Sequence, residues 1–189
     1  MDWNKRFASG GELHGYAPSP PLPRAVEGVA PGLALDLACG AGRHAIFLAE
    51  RGWRVHALDG AQAGIDRMRA EARRREVADR IEPRLVDLEA PGLSLDGAYD
   101  LVCDFYFLHR PLFEQIRRVV KPGGLFAAAI HVRTATDEKG RFLLQPDELR
   151  SLFADWEVLH YREGSAAESD HHHGTAELIA RRSEMGTPT

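Results

Sequence analysis

The sequence predicts an α/β fold: a mostly parallel, doubly wound sheet of seven strands with helices on both faces and a C-terminal antiparallel hairpin. Three observations predict it. From Leu33 onward, short apolar runs alternate with stretches of helical spacing, the pattern of parallel strands joined by crossover helices. Leu125–Val132 is apolar almost without a break, as a strand covered on both faces must be. The last two strand-like runs, 156–162 and 175–181, are joined by too little chain for a crossover helix, so they should pair antiparallel.

Each element follows from local pattern. Pro18, Pro20, Pro21 and Pro23 argue against a regular helix through 18–23. Leu33–Ala38 is the first strand and leads into a glycine turn. Arg43–Arg51 has helical spacing, with Ala45, Ile46, Leu48 and Ala49 on its apolar face, and Gly52 ends it. Trp53–Leu58 is the second strand, closing at Asp59-Gly60. A helix over 61–77 buries Ile65, Met68 and Ala72 and turns an Arg-rich face outward. A third strand centres on Leu85 and Val86 and ends at Asp87; Tyr99–Cys103 is the fourth. Pro111 opens a helix that runs through Val120, since proline suits the first helical position. Lys121-Pro122-Gly123-Gly124 stops it. After a polar loop at 133–141, a short helix is expected over 146–153, capped near Gln145 or Pro146.

Composition narrows the function. The chain has 189 residues, 44% of them hydrophobic and 28% charged, which is ordinary for one globular domain. No run reaches the roughly 18 apolar residues of a membrane span, and the first residues lack a signal-peptide core. Two cysteines, Cys39 and Cys103, make no disulfide framework, so buried thiols in a reducing cytoplasm are expected. A net charge of −4 supplies no general grip on nucleic acid.

The chemistry gathers where the strands end. Gly40 and Gly42 let the chain turn sharply and let a ligand approach the backbone. Asp59, at the tip of the second strand, is placed to accept both ribose hydroxyls. Asp87 can receive an adenine amino group, with Leu88 as apolar cover. Gly40-x-Gly42-x-x-Ala45 also fits the dinucleotide fingerprint, but Asp36 separates the two readings. A dinucleotide lays its pyrophosphate on the turn and helix start, where a carboxylate repels it. S-adenosyl-L-methionine brings an ammonium group and no phosphate.

On these residues the chain resembles the class I S-adenosylmethionine-dependent methyltransferases. The matching stretches are LDLACGAGRHAIFLAERG (35–52), VHALDG (55–60), VDL (86–88), YDLVCDF (99–105) and KPGGLF (121–126). Within that class it is similar to the tellurite-resistance methyltransferases, especially in FLLQPDELRSLFADWEVLHYREG (142–164). The resemblance implies a Rossmann-like core over 33–182, with 1–32 as a segment covering the cofactor, all within a single domain, 1–189. It implies that Asp36, Gly40 and Gly42 hold the methionine part of the cofactor, Asp59 with Gly60 the ribose, and Asp87 with Leu88 the adenine. Asp104 would lie beside the sulfonium methyl. Trp3 and Arg6 would contact the cofactor carboxylate or close the site. Ala38 stands where glycine is commoner, which implies a slightly tighter fit.

The methyl acceptor implied is a small molecule such as a thiol or chalcogen oxyanion, taken by in-line displacement. For an amine or hydroxyl acceptor, His109 and His131 are the expected proton acceptors. His109-Arg110 reads either as an anion site for the substrate or as a surface pair at a helix start. His171–His173 cannot all reach one metal ion from an extended chain, so no metal is expected, and Arg73–Arg75 reads as a solvated face. Two alternatives remain: a nicotinamide-dependent oxidoreductase, disfavoured by Asp36 and by length, and a non-catalytic S-adenosylmethionine-binding sensor. Nucleic acid methylation is disfavoured because Asp104-Phe105-Tyr106-Phe107 lacks the Pro-Pro-aromatic motif.

Overall fold

The structure, a computed structural model, describes residues 3–8, 15–133, 142–165 and 174–184. The chain divides into two compact units, Met1–Pro18 with Gly28–Leu93, and Ser19–Glu27 with Ser94–Thr189.

The first unit contains α1 (Trp3–Ala8), β1 (Leu33–Leu37), α3 (Arg43–Ala49), β2 (Arg54–Asp59), α4 (Gln62–Arg74) and β3 (Ile81–Leu85). Its strands run parallel in the order β3-β2-β1. The register sets Asp36 beside Ala57 and Asp59 beside Leu85, so the carboxyl ends of β1, β2 and β3 fall on one edge. Ile65, Met68 and Ala72 of α4 are buried, as their spacing requires. The third strand lies upstream of its expected centre at Leu85 and Val86, with Pro83 inside it. An edge strand tolerates the missing proline N–H, and β3 pairs only with β2.

The second unit contains α2 (Pro21–Val26), β4 (Tyr99–Phe105), α5 (Pro111–Val119), β5 (Val120–Val132), α6 (Glu148–Leu152), β6 (Glu157–Ser165) and β7 (Gly174–Arg181). The order is β4-β5-β7-β6, with β4 parallel to β5 and β7 antiparallel to both its neighbours, which is the expected C-terminal hairpin. Its core includes Phe153, which stacks on Phe126 at 4.6 Å and meets Trp156 edge-on at 5.1 Å. Lys121–Gly124 does end α5, but the chain stays in the sheet. The ladder to β4 jumps from Tyr99–Val120 to Leu101–Leu125, and Gly124 accepts the Arg182 N–H at 2.9 Å.

The prolines do not prevent a helix. Pro20 caps α2 and Pro21 opens it, and Leu22 is fully buried. A helix's first turn has no intrahelical use for those N–H groups, so proline there costs little. The α6 helix is shorter than expected, and its N-cap is Asp147, held at φ +59°. Among the described residues no helix is long and apolar enough to cross a membrane.

Candidate functional site

In the first unit the chain leaves β1 through a run of left-handed residues: Ala38 at φ +51°, Gly40 at +53° and Gly42 at +84°. The turn is pinned from both sides. Cys39 donates its N–H to Leu58 O at 3.0 Å, and Gly42 donates to Cys39 O at 2.8 Å. Gly42 then caps α3 and accepts the Ile46 N–H at 2.8 Å. Both glycines are required sterically. A Cβ on Gly42 would run into the Met68 side chain, and one on Gly40 would lie 2.9 Å from Phe7 Cζ.

Two carboxylates bracket this turn. Asp59 Oδ2 accepts the Gly40 N–H and Oδ1 accepts the Ala61 N–H, both at 2.7 Å. Burial raises its carboxyl, while the Ala61 and Gly40 donors pull it back in part. Asp36 is buried in β1 and takes the Ala45 N–H near the start of α3. Its Oδ2 has no hydrogen-bond partner. Burial pushes this carboxyl up to about 7, with the Asp59 charge adding; Ala45 N–H and Arg43 act the other way. Burial and the same two carboxylates hold the Cys39 thiol well above its ordinary range, so it is no nucleophile. Burial also keeps His44 neutral, its imidazole well below the ordinary value.

Gly60 follows β2 and packs at 3.6 Å, measured from where a Cβ would be, against Val86 O. Asp87 lies beyond the end of β3 and is exposed; its Oδ1 accepts the Glu89 N–H at 3.0 Å. Leu88 is buried. Asp36, Ala38, Gly40, Gly42, Asp59, Gly60, Asp87 and Leu88 therefore all belong to strand ends of one unit.

The N-terminal segment arrives differently from expectation. Trp3 is 49% exposed, and the Arg6 guanidinium lies 5.2 Å over its ring, not on the turn. Phe7 is the residue that reaches the glycines. Its ring packs on Gly40 and Gly64, and Arg67 donates to its carbonyl at 3.3 Å. Asn4 Oδ1 accepts the Ala63 N–H at 2.9 Å and so caps α4, whose own N-cap is Ala61 and bonds nothing with its side chain. Sequence reasoning missed both Phe7 and Asn4. The available signals were a lone phenylalanine in a polar segment and a helix that starts on alanine.

The second unit holds the remaining candidates. Asp104 is buried in β4, and His109 is half-buried, its carbonyl accepting the Leu112 N–H as α5 begins. His131 is half-buried near the end of β5, with the Tyr106 ring 5.2 Å away. Arg110 is not an open anion site. It grips Glu148 through two bonds at 2.6 and 2.8 Å and donates to Leu143 O at 3.1 Å. His171–His173 lie outside the described residues.

Residues 20–177 match the family model described as "Tellurite resistance protein TehB". The chain belongs to the TehB family. This TehB-family chain is 32% identical over 149 residues to "Hemagglutinin 1" of Eikenella corrodens, a match covering 74% of the chain and 48% of that protein. It thus spans about half the length of the curated relative it matches. TehB of Haemophilus influenzae superposes with a TM-score of 0.77 at 21% identity, over 95% of this chain and 67% of that one. A second likeness is to 1,6-didemethyltoxoflavin-N1-methyltransferase of Burkholderia thailandensis, whose structure holds 1,6-didemethyltoxoflavin and S-adenosylhomocysteine. There the TM-score is 0.73 and the identity 15%, over 96% and 86% of the two chains. At these identities the structural likeness establishes the fold.

Proposed function

We propose that this TehB-family chain is an S-adenosyl-L-methionine-dependent methyltransferase acting on a small-molecule acceptor. The observation that carries the reading is Asp36. Its carboxylate takes the Ala45 N–H at the head of α3, which is where a dinucleotide's pyrophosphate would need its donors. A phosphate is repelled there, whereas the unmet Asp36 Oδ2 suits an ammonium group. The residues present therefore fit S-adenosylmethionine and not NAD. The family membership and the bound S-adenosylhomocysteine of the Burkholderia enzyme support the same reading.

When bound, S-adenosylmethionine supplies an electrophilic sulfonium methyl. The chain's own residues bind and orient. Asp36 holds the ammonium, and the turn through Gly40 and Gly42 holds the methionine part. Asp59 spends one lone pair of each oxygen on Gly40 and Ala61, which leaves the others for the ribose hydroxyls. Asp87 keeps Oδ2 for the adenine amino group, and Leu88 covers the ring. Phe7 covers the glycine turn, and the role at the reacting methyl is assigned to Asp104. A thiolate or chalcogen oxyanion needs no base; an amine or hydroxyl gives its proton to His131 or His109.

Calorimetry with S-adenosylhomocysteine and with NAD tests this directly, followed by transfer of labelled methyl to thiol, tellurite, selenite and amine acceptors. Saturable S-adenosylhomocysteine binding with methyl transfer is the expected result. NAD binding alone overturns it, and tight S-adenosylhomocysteine binding without transfer to any acceptor makes the chain a sensor.

A further inference from the structure

Tyr106 follows β4 with φ +65°, a left-handed conformation that a bulky aromatic residue rarely adopts. It is held there by its own N–H, which donates to Ala129 O at 2.7 Å. Strain of this kind persists where the surrounding structure enforces it, and it concentrates at ligand sites. Here it sets the Tyr106 ring against His131, with centroids 5.2 Å apart and planes tilted by 43°. Both side chains are half-buried, so each keeps an open part.

The row continues across the sheet. His131 of β5 is directly opposite Thr175 of β7, which puts both side chains on one face. Thr175 is 3% exposed and its hydroxyl has no hydrogen-bond partner, an uncommon state for a buried polar atom. Next in the row, Gly164 of β6 faces Thr175, and a Cβ there would meet nothing within 4 Å. The row therefore offers an aromatic ring, an imidazole and an unmet hydroxyl, with open space at the exposed Gly164. Two guanidinium groups of the same unit are already engaged, Arg110 with Glu148 and Arg162 with the buried Glu177.

We propose that Tyr106, His131 and Thr175 form an acceptor site for an organic molecule with a planar apolar body and one thiol, hydroxyl or amine group, in preference to an inorganic oxyanion. This rests on the methyltransferase reading and narrows its substrate class. The planar body packs on Tyr106, which acts as a specificity-determining residue, and the polar group bonds the Thr175 hydroxyl. For a thiol, the acceptor sulfur forms its bond to the methyl carbon as the carbon–sulfonium bond breaks. The bonding pair stays on the departing thioether sulfur, and the thiol proton passes to a ring nitrogen of His131.

The test titrates benzenethiol and tellurite into protein saturated with S-adenosylhomocysteine, and then measures methyl transfer to each. Benzenethiol should bind at least tenfold more tightly than tellurite. Tyr106→Ala should raise its Kd and KM at least tenfold while leaving S-adenosylhomocysteine affinity within twofold, and Tyr106→Phe should restore both. Thr175→Val should raise the benzenethiol KM several-fold and serves as the probe if Tyr106→Ala fails to fold. Tellurite preferred over benzenethiol, or variants that leave the benzenethiol KM unmoved, overturns this inference alone. Wild-type protein that does not bind S-adenosylhomocysteine overturns the methyltransferase reading beneath it.

Discussion

The two units hold their polar residues by opposite means. In the first, each carboxylate at the glycine turn is bonded to main chain: Asp59 to Gly40 and Ala61, Asp36 to Ala45. In the second, the Tyr106–His131–Thr175 row is a set of side chains on a sheet face, and the Thr175 hydroxyl is left over. The difference teaches where stability and specificity separate. A carboxylate that ties a turn cannot be changed without disturbing the fold, whereas a row on a sheet face can vary while the fold stays.

The sharpest way to break this contrast is Asp59→Ala. It strands the Gly40 and Ala61 donors and should weaken S-adenosylhomocysteine binding by about 2–5 kcal/mol, with a fall in Tm, from two lost charge-assisted bonds. Calorimetry and thermal melts on one sample read both; an unchanged Kd would remove Asp59 from the ribose. Gly42→Ala should destabilise by about 2–4 kcal/mol, combining a left-handed alanine with the clash on Met68. Met68→Ala removes the clash but also a buried side chain, so Gly42→Ala should cost less in that background than in the wild type, which a double-mutant cycle by denaturant titration reads.

Asp36 gives the contrast a pH signature. Its carboxyl titrates near 7 in the free protein, above its ordinary value, so the buried charge lowers stability as pH rises toward 7. An ammonium favours the ionised form, so binding releases a proton below pH 7. Affinity for S-adenosylhomocysteine should therefore strengthen by up to about tenfold per pH unit up to 7 and then level off. Asp36→Asn should flatten the profile; a slope that survives assigns the proton to another group. Smaller still, Ala38→Gly should stabilise by about 0.5–1 kcal/mol by relieving φ +51°. On the other side of the comparison, Thr175→Val should leave stability unchanged or raise it by up to about 1 kcal/mol, since no bond is lost. A large loss there would mean that the row holds the fold as the glycine turn does.

How much could be read in advance follows the same division. Gly40, Gly42, Asp36 and Asp59 stand out because backbone conformation and strand ends demand those residue types at those spacings. The strand–helix alternation and the closing hairpin were legible for a similar reason, since period and connection length are local properties. Phe7 and Asn4 were not, because their partners Gly40 and Ala63 are distant in sequence and no local pattern signals the docking of α1. Thr175 was hidden because an unmet hydroxyl depends on cross-strand register. The α2 helix was missed by treating Pro21 and Pro23 as helix breakers without regard to position. The β3 strand lies upstream of its expected centre at Leu85 and Val86, because its pairing with β2 begins at Ile81, which no local apolar pattern marks.

That proline has a consequence for life in a crowded solution. An edge strand is an open template for a strand from another molecule, the first step of aggregation. On β3, Pro83 offers no N–H to an incoming chain, and its neighbours Glu82 and Arg84 form an exposed ion pair at 2.8 Å. A visitor would have to strip water from both charges and accept a gap in its ladder. Replacing Pro83 would therefore be felt first as turbidity at high concentration, before any change in the glycine turn.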